Sequence, residues 1–448
     1  MTMSGLSAGA ATADITPPVG IQLAGSFEPR ASARVERPLM IRVLALAQGG
    51  TVLLLISCDL LLFRREDLVD EAKQLIMDRL AVPADRVLIS ATHTHYGPAT
   101  FDHAGAWIND HAYLATLPGK ITEAAAAALD RRVDARIAAG TGTVTGICFN
   151  RRYRRTDGTV EMNPGYGRDD LVGPAGPVDP TVTALLVEDL AGRPIALWAN
   201  LSLHYVGVDE PDSISSDYFG VFAERVAALL GDDVVGILTN GASGDINNID
   251  LDRVVDADGS RRSVLVADAV LGAALTATTM SRRDPAPLLS ARLAPVTARR
   301  WPVGEADLAL ARRITAGERL PADYGYVEGM PIPEALIPYY TKELGELAAL
   351  PESRPSVVGV IGIGDVALVA LPGEVFVEFG LAIKAASPYP ITAVVGLAND
   401  HLGYLPTRAA FADGGYETWR SSISWTAPGT GEDLVASATE ELTRLRKG

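Results

Sequence analysis

The chain has 448 residues, of which 48% are hydrophobic and 21% are charged, so it can bury the core of one large α/β domain or of two smaller ones. Its formal net charge of −16 argues against nucleic acid or an anionic membrane surface as a partner. Since no stretch approaches about 20 uninterrupted apolar residues, we expect no insertion into a membrane.

The N-terminus and the cysteines bear on the expected location of the protein. The first 18 residues lack the basic and apolar regions of a secretory signal peptide, so we expect a cytoplasmic protein. Cys58 and Cys148 each lie beside apolar residues, which predicts buried thiols and no disulfide framework. We expect a single domain over 1–448, and the sequence leaves a homo-oligomer open.

The first buried strand is the apolar run Thr51–Ser57, which pairs with the preceding strand, 39–47, through a hairpin at Gly49-Gly50. Asp59 follows this strand directly. At that position an α/β enzyme often carries a ligand or catalytic carboxylate, but a turn acceptor is an equal alternative.

The stretch Ser90–Pro98, SATHTHYGP, follows a second apolar strand and ends in a Gly-Pro loop signal. In an extended backbone, residues two apart face the same side, so His93 and His95 are expected to project together. Neutral imidazole is a preferred ligand of zinc and related ions. The pair therefore predicts either the beginning of a metal site or two hydrogen-bonded histidines in a polar loop.

The segment 150–180 is long, polar and rich in arginine, and a loop of that length is usually functional. Its four neighbouring arginines could clamp a carboxylate or a phosphate, although such residues more often pair with local acids. They are Arg151, Arg152, Arg154 and Arg155.

Two further strands follow, and the second delivers His204 to a strand end, as the earlier strand delivers His93. Asp217 then precedes an apolar helix and is predicted to be its N-cap. The strand 234–238 ends in a glycine-rich loop, NGASGDINN, whose backbone could approach a ligand closely. This loop is neither a P-loop nor a GxSxG nucleophile elbow.

The region 285–355 is more variable and is a possible lid or subdomain, with helical patterns around 304–316 and 333–349. A hairpin, 356–371, and a last buried strand, 391–397, complete the predicted core. The fold class is therefore α/β, with a mixed β-sheet flanked by helices.

The polar side chains at the strand ends and helix starts form one candidate set. A zinc hydrolase needs about three protein ligands and an open position for water, and an N/N/O set drawn from these residues would serve. They are His93, His95, His204, Glu374 and Tyr404, with Asp59, Asp245 and His401 near by.

These motifs resemble, in the same order, those of the neutral (non-lysosomal) ceramidases and their bacterial relatives. The matching segments are ADITPP, SATHTHYGP, the strand to His204 with the later SSD, NGASGDIN, LPGE and ANDHLGYLPT. The resemblance extends from residue 13 to about 420. It implies the ceramidase catalytic domain and a zinc-dependent amidase, and we expect the C-terminal sandwich domain of that family to be absent.

The resemblance also implies roles for single residues. The zinc ligands would be His93, His204, Glu374 and Tyr404, and His95 would face the substrate as a hydrogen-bond donor or proton shuttle. The family's catalytic serine corresponds to Asn247 here, which cannot act as a nucleophile but can donate to an oxyanion. Asp245 would share the catalytic loop, and the predicted substrate contacts are Gly244, Tyr96, Arg152 and His401.

The predicted reaction is hydrolysis of an amide bond in a small molecule other than ceramide, by water that a metal ion activates. Zinc is favoured because the ligands are nitrogen and hard oxygen, and manganese or iron stays open. Two alternatives remain at this point. One is an esterase, lactonase, lyase or isomerase with the same metal, and the other is a metal-free binding protein.

Overall fold

The structure is a computed structural model that describes residues 5–26, 28–103, 107–253, 259–317, 325–327, 330–331 and 337–447. Within this part of the chain, twelve longer strands form two sheets. The strands are β1 (Ser7–Asp14), β2 (Met40–Gln48), β3 (Thr51–Cys58), β4 (Val87–Ala91), β5 (Val133–Thr143), β6 (Thr181–Asp189), β7 (Pro194–Leu201), β8 (Val235–Asn240), β9 (Leu289–Arg299), β10 (Ser353–Ile363), β11 (Val366–Ala370) and β12 (Ile391–Val395).

The larger sheet has the order β8-β7-β6-β5-β1-β2-β3-β4, and Arg283–Asp284 adds a short ninth strand beside β5. Its neighbours run antiparallel except β3 with β4 and β7 with β8, which are parallel. The smaller sheet has the order β9-β10-β11-β12, and only β11 and β12 are parallel. This mixed pairing confirms the predicted fold class.

Ten α-helices lie within the described residues, beside a π-turn at Arg65–Val69 and 3₁₀ turns at Ala84–Arg86 and Tyr416–Thr418. They are α1 (Asp70–Leu80), α2 (His111–Leu114), α3 (Leu117–Asp130), α4 (Asp217–Leu230), α5 (Gly259–Thr279), α6 (Glu305–Thr315), α7 (Ile337–Ala349), α8 (Val377–Ala386), α9 (Arg408–Asp413) and α10 (Thr430–Lys447). The remaining strands are short: Gln22–Leu23, Arg30–Ala31, Arg34–Val35, Phe149–Asn150, Arg152–Arg155, Val160–Met162, Leu171–Pro174, Ser213–Ile214, Ile246–Asn247, Gly325–Val327, Met330–Pro331, Glu374–Val375 and Tyr404–Leu405.

The two sheets pack face to face, with helices on their outer faces. A cluster of buried side chains that includes Leu55, Trp198 and Leu368 fills the space between the sheets. The helices α1 and α3 cover the β1–β4 half of the larger sheet, and α4 and α5 cover its other half. Because α8 and α10 likewise cover the smaller sheet, strands such as β3, β11 and β12 are buried on both faces, which explains their continuous apolar sequences.

The helix α5 has the length and composition of a membrane-spanning segment, with an 18-residue window of mean hydropathy 1.2. Its apolar side chains, however, form one stripe that includes Val266, Val270 and Ala274 and packs onto α4 and the larger sheet. A core helix of a soluble domain meets the same criteria, so this feature is weak evidence for membrane insertion.

The region predicted as a lid divides into two parts. Leu289–Arg299 and Ser353–Ile363 pair along their whole length and form the framework of the smaller sheet. Between them lie α6 and α7, and much of the Gly/Tyr-rich stretch 321–333 falls outside the described residues. The assignment of 1–448 to a single domain stays a prediction.

The carboxyl ends of β3, β4, β7, β8, β11 and β12 meet on one side of the molecule. A bridge between Ser90 and Ala398 joins the ends of β4 and β12 across the two sheets. Loops that follow parallel strands at such an edge are the usual place for ligands in α/β proteins. His93, His204 and Glu374 all lie in these loops.

Candidate metal centre

The two histidines of the HxH motif meet for a reason other than the one expected. The strand β4 ends at Ala91, and His93 has a φ of 70°, in the left-handed region. The alternation of an extended strand therefore does not apply, although the rings of His93 and His95 do come together, with 4.9 Å between centroids. A non-glycine residue held at positive φ is often part of a functional site.

Backbone carbonyls determine which nitrogens of these rings carry hydrogen. Nδ1 of His93 lies 2.8 Å from the carbonyl oxygen of Leu61, and Nδ1 of His95 lies 3.0 Å from that of Gly25. A carbonyl oxygen only accepts, so both Nδ1 atoms must donate. In the neutral rings, each Nε2 then has a lone pair, and a carbonyl bound to Nδ1 is a common way of orienting a metal-binding histidine.

These lone pairs converge on one point. Nε2 of His93 is 3.2 Å from Oε2 of Glu374 and 3.4 Å from Nε2 of His95. Three acceptors at such distances repel one another unless a cation lies between them, either a metal ion or an extra proton. Two ligands at about 2.0–2.1 Å from a tetrahedral zinc ion lie about 3.3–3.4 Å apart, so the spacing fits a metal ion.

His204 completes the cluster from the other half of the larger sheet. It lies three residues beyond β7 and is buried, with its ring centroid 4.4 Å from that of His93. Its Nδ1 has no hydrogen-bond partner among the described residues. The candidate ligand atoms of His93, His95 and His204 lie within 4.8 Å of one another, so this cluster could bind a metal ion.

Asp217 holds the loop that follows His204. Its carboxylate accepts hydrogen bonds from the N–H groups of Val206 and Gly207 and from the hydroxyl of Ser263. It is the first residue of α4, whose N-cap is Ser216, so the N-cap prediction was wrong by one residue. Burial raises the pKa of Asp217 to about 6. The residue is a structural support of the histidine loop.

Glu374 is positioned by close backbone packing. It pairs in parallel with Tyr404, and a Cβ on Gly244 would lie only 2.4 Å from the carbonyl oxygen of Glu374. Gly244, predicted as a substrate contact, thus lets the glycine-rich loop pack against the Glu374 backbone. On the other side, Nε2 of His401 lies 3.6 Å from Oε1 of Glu374.

The electrostatic environment favours a charged Glu374 carboxylate and neutral rings for His95 and His204. Burial alone would raise the pKa of Glu374, but His93 and His401 hold that pKa well below its usual value. Burial, with the neighbouring His93, lowers the pKa values of His95 and His204 well below those of free histidine. Neutral imidazole beside an ionised carboxylate is the form that binds a divalent cation.

Tyr404 lines the same small cavity of about 60 Å³ as His93, His95 and Glu374. Burial, with Glu374 as the next cause, raises the pKa of its hydroxyl well above the usual value. The guanidinium of Arg151 lies 5.5 Å from the Tyr404 ring and also faces Tyr416. The predicted role of Tyr404 as a ligand stays a prediction.

The arginines of the 150–168 region pair with acidic residues, as the second interpretation of this segment predicts, and do not form an open anion clamp. Arg152 donates to Glu417 and to the carbonyl oxygen of Gly414, and Arg151 donates to the other oxygen of Glu417. Arg154 pairs with Asp413, whereas Arg155 pairs with Asp170. Arg152 does not line the cavity of the histidine cluster, so a role in substrate binding finds no support in its position.

The polar side chains of the glycine-rich loop are likewise engaged in hydrogen bonds within the fold. Asp245 accepts hydrogen bonds from Nδ2 of Asn150 and from the N–H of Val377, and both of its oxygens are used. Asn247 donates its amide to Asn163 and accepts from the N–H of Ile249. Neither side chain lines the histidine cavity, so the proposed oxyanion and catalytic roles of this pair remain untested predictions.

Tyr96 and Asp59, two further candidates from the sequence, contact other residues of the fold and not the histidine cavity. The Tyr96 side chain packs against Tyr205, Arg30 lies over its ring, and the Tyr96 side chain does not line the histidine cavity. Asp59 forms a buried, two-oxygen pair with Arg42 and accepts from the N–H of Met40, so the contacts that the structure shows for it are those of the framework. His401, in contrast, lies beside Glu374 and lines a neighbouring cavity.

Sequence reasoning missed several residues of the site. Gly25, at φ 89°, accepts from His95, and a Cβ there would lie 2.4 Å from the His95 ring. Tyr205 stacks on His95 at 3.8 Å between centroids, and His103, Trp107 and Tyr416 line the cavity. Gly25 and Tyr205 lie far from the motif in sequence, and only Tyr205 had a signal, its position next to His204.

Comparison with solved structures identifies the fold. Neutral ceramidase from Pseudomonas aeruginosa superposes with a TM-score of 0.74 at 18% identity, over 99% of this chain and 75% of that chain. A ceramidase complexed with C2 gives a TM-score of 0.72 at 16% identity over the same shares. This chain has the neutral ceramidase fold. A scan against protein-family models and a search of curated proteins find no match.

Proposed function

We propose that the chain is a metal-dependent hydrolase that cleaves an amide bond in a small molecule, with zinc as the ion. The observation that carries the proposal is the convergence of His93, His95, His204 and Glu374, whose potential ligand atoms face one another at the spacing that a metal ion requires. The ceramidases that share the fold support amide hydrolysis as the reaction.

The residues that would hold the ion are His93, His204 and Glu374, with Tyr404 at the edge of the same cavity. When bound, zinc lowers the pKa of a water molecule and polarises the scissile carbonyl. The protein's own contribution is to fix the ligand atoms before the ion arrives. The carbonyls of Leu61 and Gly25 fix the ring orientations of His93 and His95.

His95 is the residue best placed to accept and donate a proton during the reaction. Its Nδ1–H is committed to Gly25, and its ring is clamped between that backbone and Tyr205, so Nε2 is held towards the cavity. In this orientation Nε2 can accept a proton from a nucleophile and return it to the leaving amine. Trp107 and His103 line the cavity beside it and limit the access of bulk water.

The test compares zinc-reconstituted wild type with His204→Ala on matched amides and esters, including short-chain ceramide, and measures product mass. We expect amide hydrolysis in the wild type, with one water added, and a loss of about a thousandfold or more in the variant. Poor turnover of ceramide relative to a short polar amide would support the narrower substrate class.

Two results would contradict the proposal. Full activity of a metal-stripped preparation would exclude metal-dependent hydrolysis. A preference for esters over amides of the same acyl group would reassign the reaction while keeping the metal site.

A further inference from the structure

A second and larger cavity, of about 350 Å³, lies next to the metal centre. It has the volume of a small-ligand pocket, whereas the histidine cavity alone is too small to hold one. Its lining combines aromatic and aliphatic side chains with three arginines, Glu66 and His401. The lining residues used below are Arg64, Phe101, Arg354, His401, Ile423 and Trp425.

The two cavities are neighbours. Ile423 lines both, and Phe101 of the larger cavity packs against His103 of the smaller one, with 6.1 Å between ring centroids. His401 lines the larger cavity, and its Nε2 is 3.6 Å from Glu374. A molecule with its reacting bond at Glu374 would extend from there past His401.

Arg64 distinguishes this cavity from the other arginine-rich parts of the molecule. Its guanidinium carbon lies 4.2 Å from the centre of the Phe101 ring, so the aromatic face orients the cation. Arg64 makes no hydrogen bond or ion pair with any residue that the structure describes. Planar guanidinium groups match the geometry of carboxylates and phosphates, so an oriented and unpaired one is a ready anion site.

The other charges around the cavity are largely compensated. Arg354 pairs with Asp400 and Glu66, and Arg65 pairs with Asp70. Asp67, Glu66 and Asp400 lie near enough to Arg64 to oppose its charge in part. Burial nevertheless lowers the pKa of Arg64, so desolvation of the guanidinium outweighs the attraction of these carboxylates.

We propose that this cavity binds an anionic oxygen group, a carboxylate or a phosphate, carried by the substrate, and that Arg64 is the residue that recognises it. The inference rests on the proposed function, because it places the anion in the molecule whose amide bond reaches the metal centre. The apolar wall of Phe101, Ile423 and Trp425 accommodates the chain that joins the two groups. The preferred substrate is thus an amphiphilic acid.

The kinetic experiment uses two matched pairs of amides, with kcat/KM measured for each member. In the first pair the acyl group is succinyl or butanoyl on the same aniline, and in the second a butanoyl group is joined to 4-aminobenzoate or to aniline. We expect the acid to be preferred by about tenfold to a hundredfold in at least one pair, since a charge-assisted hydrogen bond contributes that much. In Arg64→Gln that ratio should fall to about one.

Arg79→Gln is the matched control, because Arg79 is an exposed arginine on α1 that does not line the cavity. The control should keep the wild-type ratio. Equal kcat/KM within both pairs in the wild type, or an unchanged ratio in Arg64→Gln, would overturn the inference.

A binding experiment separates this inference from the proposed function. Butyrate and inorganic phosphate are titrated into metal-stripped His204→Ala, with and without Arg64→Gln, and we expect Arg64→Gln to weaken binding of the better anion about tenfold. The anion that binds more tightly identifies the group that the cavity recognises, a carboxylate or a phosphate. If no amide is hydrolysed but the Arg64-dependent binding remains, the reaction is misassigned and the anion site stands. Binding that does not depend on Arg64 would overturn the anion site.

Discussion

Two polar clusters lie side by side in the interior, and they differ in how their atoms are satisfied. In the histidine cluster, Nδ1 of His204 and Oε2 of Glu374 find no hydrogen-bond partner in the described part of the chain, and lone pairs face lone pairs. In the cluster around Glu417, two buried arginines share one carboxylate and both of its oxygens are used, although Nη2 of Arg151 has no hydrogen-bond partner among the described residues. Unsatisfied buried atoms are costly, so the first cluster has the chemistry of a cation site, whereas the second is a structural brace.

The largest expected effect tests the unsatisfied cluster. Glu374→Gln keeps the side-chain shape but removes the negative charge, so metal binding and turnover should fall, with activity down about a thousandfold or more. The metal-stripped variant should also lose some stability at pH 7 relative to the metal-stripped wild type, because His93 and His401 stabilise the carboxylate in its charged form. Chemical denaturation and elemental analysis measure the two effects. A large loss of stability with the metal retained would show that Glu374 is a structural brace and not a metal ligand.

The cluster around Glu417 should respond in the opposite way, with a large loss of stability and no loss of metal. Glu417→Gln leaves Arg151 and Arg152 buried without their shared negative charge, so the free energy of unfolding should fall by about 3–5 kcal/mol. Folded protein should still contain its metal. Chemical denaturation at pH 7 measures this change, and an unchanged midpoint would show that the carboxylate is not the brace described.

The support of the cluster is tested at Gly25. Gly25→Ala places a Cβ against the His95 ring, so kcat should fall by about tenfold to a hundredfold through displacement of that ring. Gly20→Ala is the matched control, because Gly20 also has positive φ, 101°, but has open space around it. Both variants carry the same backbone strain. Equal losses in the two would show that strain, not His95, is responsible.

Glu343 offers a smaller and pH-dependent test, because one of its oxygens accepts from the Ser422 N–H and the other lies 3.7 Å from His103. Burial raises the pKa of Glu343 to about 7. A raised carboxyl pKa means that stability contributed by the protonated form is lost as pH rises from the unfolded value, about 4.3, to about 7. The free energy of unfolding of Glu343→Gln relative to wild type should therefore rise by up to about 3 kcal/mol over this range and stay constant above pH 7.

The measurement is denaturant unfolding of both metal-stripped proteins from pH 5 to pH 8. Parallel stability curves for the two proteins would contradict the raised pKa and would place Glu343 among the fully compensated groups.

The sequence was most informative where periodicity and burial coincide. Continuous apolar runs such as 51–57 and 391–397 predict buried strands, and each leads into a loop that reaches the site. His93 and His204 were found as candidates because each follows such a run. Strand ends at one edge of a sheet are close in space, and this topological rule needs no knowledge of side-chain packing.

The sequence could not distinguish satisfied polar groups from unsatisfied ones. Arg152 and Asp245 look as reactive in the sequence as Glu374, but their partners, Glu417 and Val377, are more than a hundred residues away. Gly25 and Arg64 carry no local signal, because their roles arise from His95 and Phe101 in the folded chain. Non-local contacts therefore decided both the errors and the omissions.

The most direct test of the account is calorimetric titration of zinc into three metal-stripped proteins: wild type, His204→Ala and Asn247→Ala. Asn247 represents the satisfied groups, since its amide is already bonded to Asn163. The account predicts one tight site in wild type and in Asn247→Ala, and loss of that site in His204→Ala. Equal zinc binding by His204→Ala, or no binding by wild type, would contradict the claim that the histidine cluster is a metal centre.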